Sequence, residues 1–333
     1  MRKIKWGVMG TAYIFERDTA RGMELAENCE LTAIAGRSMK KAEAFQERYG
    51  FKKAYGSYED LLNDPEIEAV YIPLPNTMHY EWTIQALRQG KHVLCEKPLA
   101  PGAEEVREMF RIAKENNVFL MEAFAYQHSP CIKEIKEAVD SGKIGEIRYI
   151  EAALITSDYD HSNIRMRKET LGGCMYDLGV YAASFVQRMT GRKPEKISEV
   201  SSFSEEGIDT YTTAVFEYAD GMKAHIDCGM VLETEKNCSL DRFQIHGSKG
   251  SLTSVDFGFN APGRLSYRLK NFEGDEEIRT VEVPNNYCLE VEQLGRCICG
   301  EETPYVTEQF SCDLADTVDQ ILDKTGYRDK ISV

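Results

Sequence analysis

"KIKWGVMGTAYIFERDTARGMELAEN", residues 3–28, decides the fold of this chain. A short apolar strand runs into Gly10, and after it Ile14, Ala20, Met23 and Leu25 recur at the spacing of one helix face. The same unit then repeats. "LTAIAGRS" (31–38) is an apolar strand followed by the helical "MKKAEAFQERYG" with a glycine stop, and Ser57 is placed to cap a short helix that ends before Pro65. "EAVYIPLP" (68–75) leads into "NTMHYEWTIQALRQG", "KHVLCEKP" (91–98) into "GAEEVREMFRIAKENN", and "VFLMEAFAY" (118–126) closes the series. Uninterrupted apolar strands alternating with helices require a parallel sheet covered on both faces, so the first third is expected to be α/β and doubly wound.

In such a sheet all strands end on one edge, and ligands bind in the crevice beyond it. Gly10, Arg37, Pro75, Glu96, Lys97 and Glu122 are expected at that edge. Pro98 ends its strand and leaves Lys97 at the rim; the competing reading of Lys97 is an edge lysine paired with Glu96. The first turn matches a dinucleotide-binding G-x-G-x-x-G imperfectly, since Ala12 stands at the second glycine and Phe15 at the third. Gly10, Thr11, Ala12, Tyr13 and Ile14 nevertheless head a strand–turn–helix unit, where a pyrophosphate meets a helix N-terminus. At the end of the second strand an acid would select NAD, whereas Arg37 with Ser38 offers a guanidinium fork and a hydroxyl to a 2′-phosphate. The expected cofactor is NADP, with NAD as the alternative, and the competing reading of Arg37 is a solvated basic helix start.

The chain has 333 residues, enough for two domains, with 42% hydrophobic and 29% charged residues, an ordinary globular balance. A net charge of −15 argues against a nucleic-acid partner. No apolar run approaches the ~18 residues of a membrane span, and the start lacks a signal-peptide pattern, so a cytoplasmic protein is expected. The ten cysteines are scattered without ligand spacing, which predicts reduced thiols and no metal site.

With Pro75, Asn76 and His79 (P-N-x-x-H), then Glu96, Lys97 and Pro98 (E-K-P), the chain resembles the Gfo/Idh/MocA family of NAD(P)-dependent oxidoreductases. "NIRMRKETLGGCMYDLGVY" (163–181) is similar to the branch that contains dimeric dihydrodiol dehydrogenase and NADP-dependent xylose dehydrogenases. The resemblance spans roughly residues 4 to 325. It implies a Rossmann domain over 1–123 and, over 124–333, an α+β domain for substrate binding and oligomerisation, with a large, mostly antiparallel sheet. The residues agree: "TYTTAVFEYADGMKAHIDCGM" reads as two strands joined at Asp220-Gly221, "RFQIHGSKGSLTSV" as another hairpin, and "YVTEQFSCDLADTVDQILDKTG" as a closing helix. An open sheet face commonly becomes a subunit interface, so a homodimer or higher homo-oligomer is expected.

Oxidising an alcohol requires removal of a hydroxyl proton as hydride leaves carbon. Burial disfavours an ammonium and so suits a lysine to proton exchange. Asp177 and Tyr181 are four apart and share one face of a helix starting near Asp177; read alone, they are more readily a helix N-cap and a packed core phenol. The resemblance implies Lys97, Asp177 and Tyr181 as the catalytic set, with the phenol or the lysine taking the proton and Asp177 orienting substrate hydroxyls. It further implies cofactor contacts from Pro75, Asn76, His79, Glu96 and Lys97. Tyr126, Asn163, Arg165 and Asp177 are candidate substrate-binding residues, and Gln127 stands where related sequences carry arginine. The expected function is an NADP-dependent dehydrogenase acting on a sugar, polyol or cyclic diol. The alternatives are a non-catalytic nucleotide-binding regulator and a redox-assisted glycosidase or isomerase that keeps NAD bound.

Overall fold

A computed structural model describes residues 2–157, 160–232 and 239–331. Two compact units divide the chain, Met1–His128 with Pro284–Ser311, and Ser129–Val283 with Cys312–Val333. The chain therefore passes between units after residues 128, 283 and 311, where a division after residue 123 expects a single passage. The segment 284–311 returns to the first unit because its helix Asn286–Ile298 has an apolar side to bury, with Val291 and Leu294 fully enclosed. Asn28 reaches it by donating from Nδ2 to the Glu292 carbonyl at 2.8 Å.

The first unit is built on β1 (Ile4–Met9), β2 (Cys29–Ala35), β3 (Lys53–Tyr55), β4 (Ala69–Ile72), β5 (His92–Glu96) and β6 (Leu120–Ala123), all parallel, in the order β3-β2-β1-β4-β5-β6. This is the doubly wound dinucleotide-fold order, with the switch between β1 and β4. β3 is an edge strand of three half-buried residues that the apolar pattern does not signal. Ser57 caps the next helix as expected, its Oγ accepting from the Asp60 amide at 3.1 Å. Trp6, Val8, Ile34, Val70, Ile72, Val93 and Leu94 are fully buried, as strands covered on both faces demand.

The second unit holds β7 (Ile147–Ser157), β8 (Lys196–Phe203), β9 (Asp209–Glu217), β10 (Lys223–Leu232), β11 (Ser239–Gly247), β12 (Gly250–Asp256), β13 (Gly263–Asn271) and β14 (Glu276–Val283). Their order is β14-β13-β12-β11-β7-β10-β9-β8, antiparallel except for the β7–β10 pair. The β9–β10 and β11–β12 hairpins fall where turn chemistry places them. Alternation sets the core: Ala214, Phe216, Ala224, Ile226, Ile150, Ala152, Phe243 and Ile245 point to one side and are buried. On the other side Val200, Val215, Val231 and Ile278 remain exposed.

Candidate functional site

At the end of β1, Gly10 has φ +132, a conformation that disfavours a side chain, and a Cβ there would come within 3.0 Å of Leu74. Thr11, Ala12 and Ile14 are half-buried and Tyr13 is exposed, so the turn presents backbone to its surroundings. The third glycine of the fingerprint is replaced by Phe15 because the space is filled: its ring is buried among Phe45, Tyr49 and Phe51, with centroids 6.2, 5.2 and 5.9 Å away. A π-helical turn over Phe15–Thr19 accommodates that ring.

Arg37 and Ser38 are exposed at the end of β2, and Ser38 heads the helix Met39–Tyr49 without a side-chain cap bond. No carboxylate pairs with Arg37 among the described residues. A guanidinium and an uncommitted hydroxyl beside a helix start suit a phosphate monoester, so these residues and the Gly10 turn fit a dinucleotide.

Lys97 follows β5 and is half-buried, and the bond to Pro98 is cis. Behind it Glu96 is only 8% exposed, and its Oε1 accepts from the Tyr71 hydroxyl at 2.6 Å. Burial raises the Glu96 carboxyl above its ordinary range, with the Tyr71 bond and Lys97 opposing that rise. Pro75 and Asn76, both half-buried, open the helix Asn76–Arg88. His79 is 1% exposed, and its two ring nitrogens lie 2.7 Å from the carbonyl oxygens of Pro98 and Leu74. It braces the backbone on either side. Tyr126 is fully buried, with Gln127 donating to its hydroxyl at 2.5 Å, so Gln127 is committed to that phenol.

In the second unit the helix carrying the other candidates starts earlier than its sequence suggests. A π-helical turn, Met175–Gly179, runs into the helix Val180–Thr190, which puts Asp177 within the first turn and not at the cap. Asp177 and Tyr181 are both half-buried. Asp177 Oδ2 accepts from Arg165 Nε at 2.7 Å, and Tyr181 Oη accepts from Asn260 Nδ2 at 3.1 Å. The Phe259 ring lies 5.8 Å from that of Tyr181. Asn163 serves the loop itself, its Oδ1 accepting from the Arg165 amide at 3.0 Å.

Two glycines let this loop close on the helix. A Cβ at Gly172 would come within 2.2 Å of the Arg165 carbonyl oxygen, and at Gly173, where φ is +113, within 1.9 Å of Asp209 Oδ1. Asp209, 1% exposed, accepts from the Met175 amide at 2.8 Å, from the Cys174 thiol at 3.1 Å and from Thr212 at 3.2 Å. A carboxylate at a helix start complements the dipole, yet burial pushes Asp209 up to about 6. Asn260 and Asp209 escape sequence reasoning because they sit 79 and 34 residues from the groups they serve. Among the described residues, one group has the separations of a cation site: Glu151, His225 and Asp227, with ligand atoms within 4.8 Å of one another. Arg242 already supplies positive charge there, 2.7 Å from Glu151 and 3.8 Å from Asp227.

Residues 4–124 match an oxidoreductase family with an NAD-binding Rossmann fold, and residues 132–253 match the GFO/IDH/MocA C-terminal domain. The chain is 31% identical over 327 residues to a D-xylose 1-dehydrogenase (NADP(+)) of Haloferax volcanii, covering 95% of each chain. It is 30% identical over 332 residues to a trans-1,2-dihydrobenzene-1,2-diol dehydrogenase of Xenopus laevis, covering 97% of this chain and 98% of that one. Among solved structures, the 3-ketoreductase KijD10 from Actinomadura kijaniata, in complex with NADP and TDP-benzene, superposes with a TM-score of 0.86. It shares 27% identity over 97% of this chain and 98% of that one.

Proposed function

The chain belongs to the Gfo/Idh/MocA family of oxidoreductases, and from that premise we propose that it is an NADP-dependent dehydrogenase oxidising a hydroxyl of a sugar, polyol or cyclic diol. It is an NAD(P)-dependent enzyme acting on CH–OH groups. The observation that carries the finer reading is the pairing of Asp177 with Arg165 and of Tyr181 with Asn260 on one helix turn, both half-buried.

When bound, the nicotinamide dinucleotide takes up the hydride. The Gly10–Ile14 turn binds its pyrophosphate, Arg37 and Ser38 its 2′-phosphate, and Glu96, Pro75 and Asn76 border its nicotinamide end. Tyr181, once ionised, receives the substrate hydroxyl proton, and N–H donation from Asn260 to its oxygen stabilises that phenolate. Lys97, as the ammonium, stabilises the developing alkoxide. Asp177, oriented by its bond from Arg165, accepts from a second substrate hydroxyl. Asn163 and Arg165 shape that loop.

The presence of Lys97, Asp177 and Tyr181 together favours a working enzyme over a nucleotide-binding regulator. Nine cysteines among the described residues are free thiols, which supports a reducing, cytoplasmic setting; Cys238 lies outside the described residues. No helix among them is long and apolar enough to cross a membrane. Val200, Val215, Val231 and Ile278 on one face of the eight-stranded sheet support a homodimer through that face. The deciding experiment is a panel of aldoses, inositols and dihydrodiols with NADP, followed by NADPH absorbance. Net reduction with any of them is expected; cofactor carried through purification with no net absorbance change would select the redox-assisted hydrolase or isomerase instead.

A further inference from the structure

The first unit contains a buried carboxyl that the reaction, as described, does not use. Glu122 lies in β6 beside β5, paired in register with Cys95, and is 3% exposed. Its Oε1 accepts from the Leu99 amide at 3.0 Å, and its Oε2 accepts from the Ser311 hydroxyl at 2.6 Å. Leu99 is two residues beyond Lys97. The carbonyl of the intervening Pro98 is held in turn by a His79 ring nitrogen at 2.7 Å. Both backbone groups that follow Lys97 are therefore gripped by buried side chains from neighbouring elements.

We propose that Glu122 is a positioning residue for Lys97: it clamps the Leu99 amide and so fixes the turn from which the lysine departs, tightly when ionised and loosely when protonated. The inference rests on the catalytic role given to Lys97 above. A lysine carries its nitrogen on a flexible four-carbon stem, so the placement of the ammonium depends on how firmly its backbone is held. Hydrogen bonds to an ionised carboxylate are about twice as strong as those to a neutral acid. The clamp therefore changes strength when Glu122 gains or loses its proton.

That change falls within the working range of an enzyme. Burial pushes the Glu122 carboxyl up to about 7, against the Ser311 and Leu99 bonds and the nearby Lys97 charge, while Glu96 adds to the rise. Lys97 is the cation bearing on Glu122 and Glu96 the anion; Ser311 and Leu99 contribute uncharged donors. As pH rises through that value the carboxylate forms, the clamp tightens, and Lys97 is better placed. Glu122→Gln keeps an acceptor for Leu99 but cannot titrate.

The test is amide hydrogen exchange at Leu99, corrected for intrinsic base catalysis, at about pH 6 and about pH 8 in wild type and Glu122→Gln. Wild type is expected to gain about fivefold in protection between the two, and Glu122→Gln to show no gain. Equal protection at both values in wild type, or the same gain in Glu122→Gln, overturns the clamp whatever the activity of the enzyme. The second arm is the ratio of kcat at the two values with a substrate found by the panel. It is expected to be about threefold larger in wild type than in Glu122→Gln. Equal ratios, with the exchange result intact, overturn the positioning role while leaving the dehydrogenase reading standing. Glu122→Leu, if it folds, should lose Leu99 protection at both values.

Discussion

Tyr181 carries its hydroxyl on a helix and accepts there from Asn260, 79 residues away, whereas Lys97 and Arg37 stand at strand ends readable from the chain itself. The two kinds of residue support different expectations. Replacing Lys97 by Met removes the charge beside the reacting oxygen, and kcat should fall by about 10²-fold or more while the NADP dissociation constant stays within about tenfold. Steady-state kinetics with a fluorescence titration of NADP separates the two, and full turnover would remove Lys97 from the mechanism. Arg37→Asp replaces attraction for a 2′-phosphate by repulsion, so the ratio of kcat/KM for NADP over NAD should drop by about tenfold or more. An unchanged ratio would relocate the 2′-phosphate contact. Glu96 and Lys97 were legible as an edge pair; Asn260 was not, because no local spacing marks a loop asparagine as a partner for a distant phenol.

Helix and strand ends set the geometry of these residues, and here buried charge has a measurable cost. Asp209 on β9 anchors the start of the helix that bears Asp177 and Tyr181, through the Met175 amide at 2.8 Å. Its carboxyl stands at about 6 in the folded chain against an ordinary 3.8. Below the ordinary value both folded and unfolded states hold the proton, and the contribution to stability is complete. As pH rises through about 6 the folded state gives the proton up reluctantly, so about 3 kcal/mol is lost across that window. Asp209→Asn cannot ionise. Urea unfolding between about pH 4 and pH 7 should show wild type losing this amount relative to the variant, and parallel stability curves would contradict the burial argument. Helix positions were readable from glycine stops and apolar spacing. The π-helical turns at Phe15–Thr19 and Met175–Gly179 were not, because no local residue pattern marks a π turn within a helix.

At the scale of the molecule, the exposed valines and Ile278 on the eight-stranded sheet frame the remaining prediction. Val215→Asp places a charge amid that face without touching the buried side, and should convert a dimer to a monomer in sedimentation velocity with little change in secondary structure. A monomeric wild type, or an unaffected dimer, would move the interface elsewhere. The alternation of strand and helix, the strand ends at Gly10, Arg37 and Lys97, and the hairpin at Asp220-Gly221 followed from the sequence by itself, because each depends on signals within about ten residues of one another. The edge strand Lys53–Tyr55 did not, since three half-buried residues carry no apolar run. Nor did the return of Asn286–Ile298 to the first unit, the bracing of Pro98 by His79, the grip of Glu122 on Leu99, or the anchoring of Met175 by Asp209. An amphipathic pattern states that a face must be covered and a polar group must be bonded, but which element covers it and which atom bonds it is chosen only when distant segments pack.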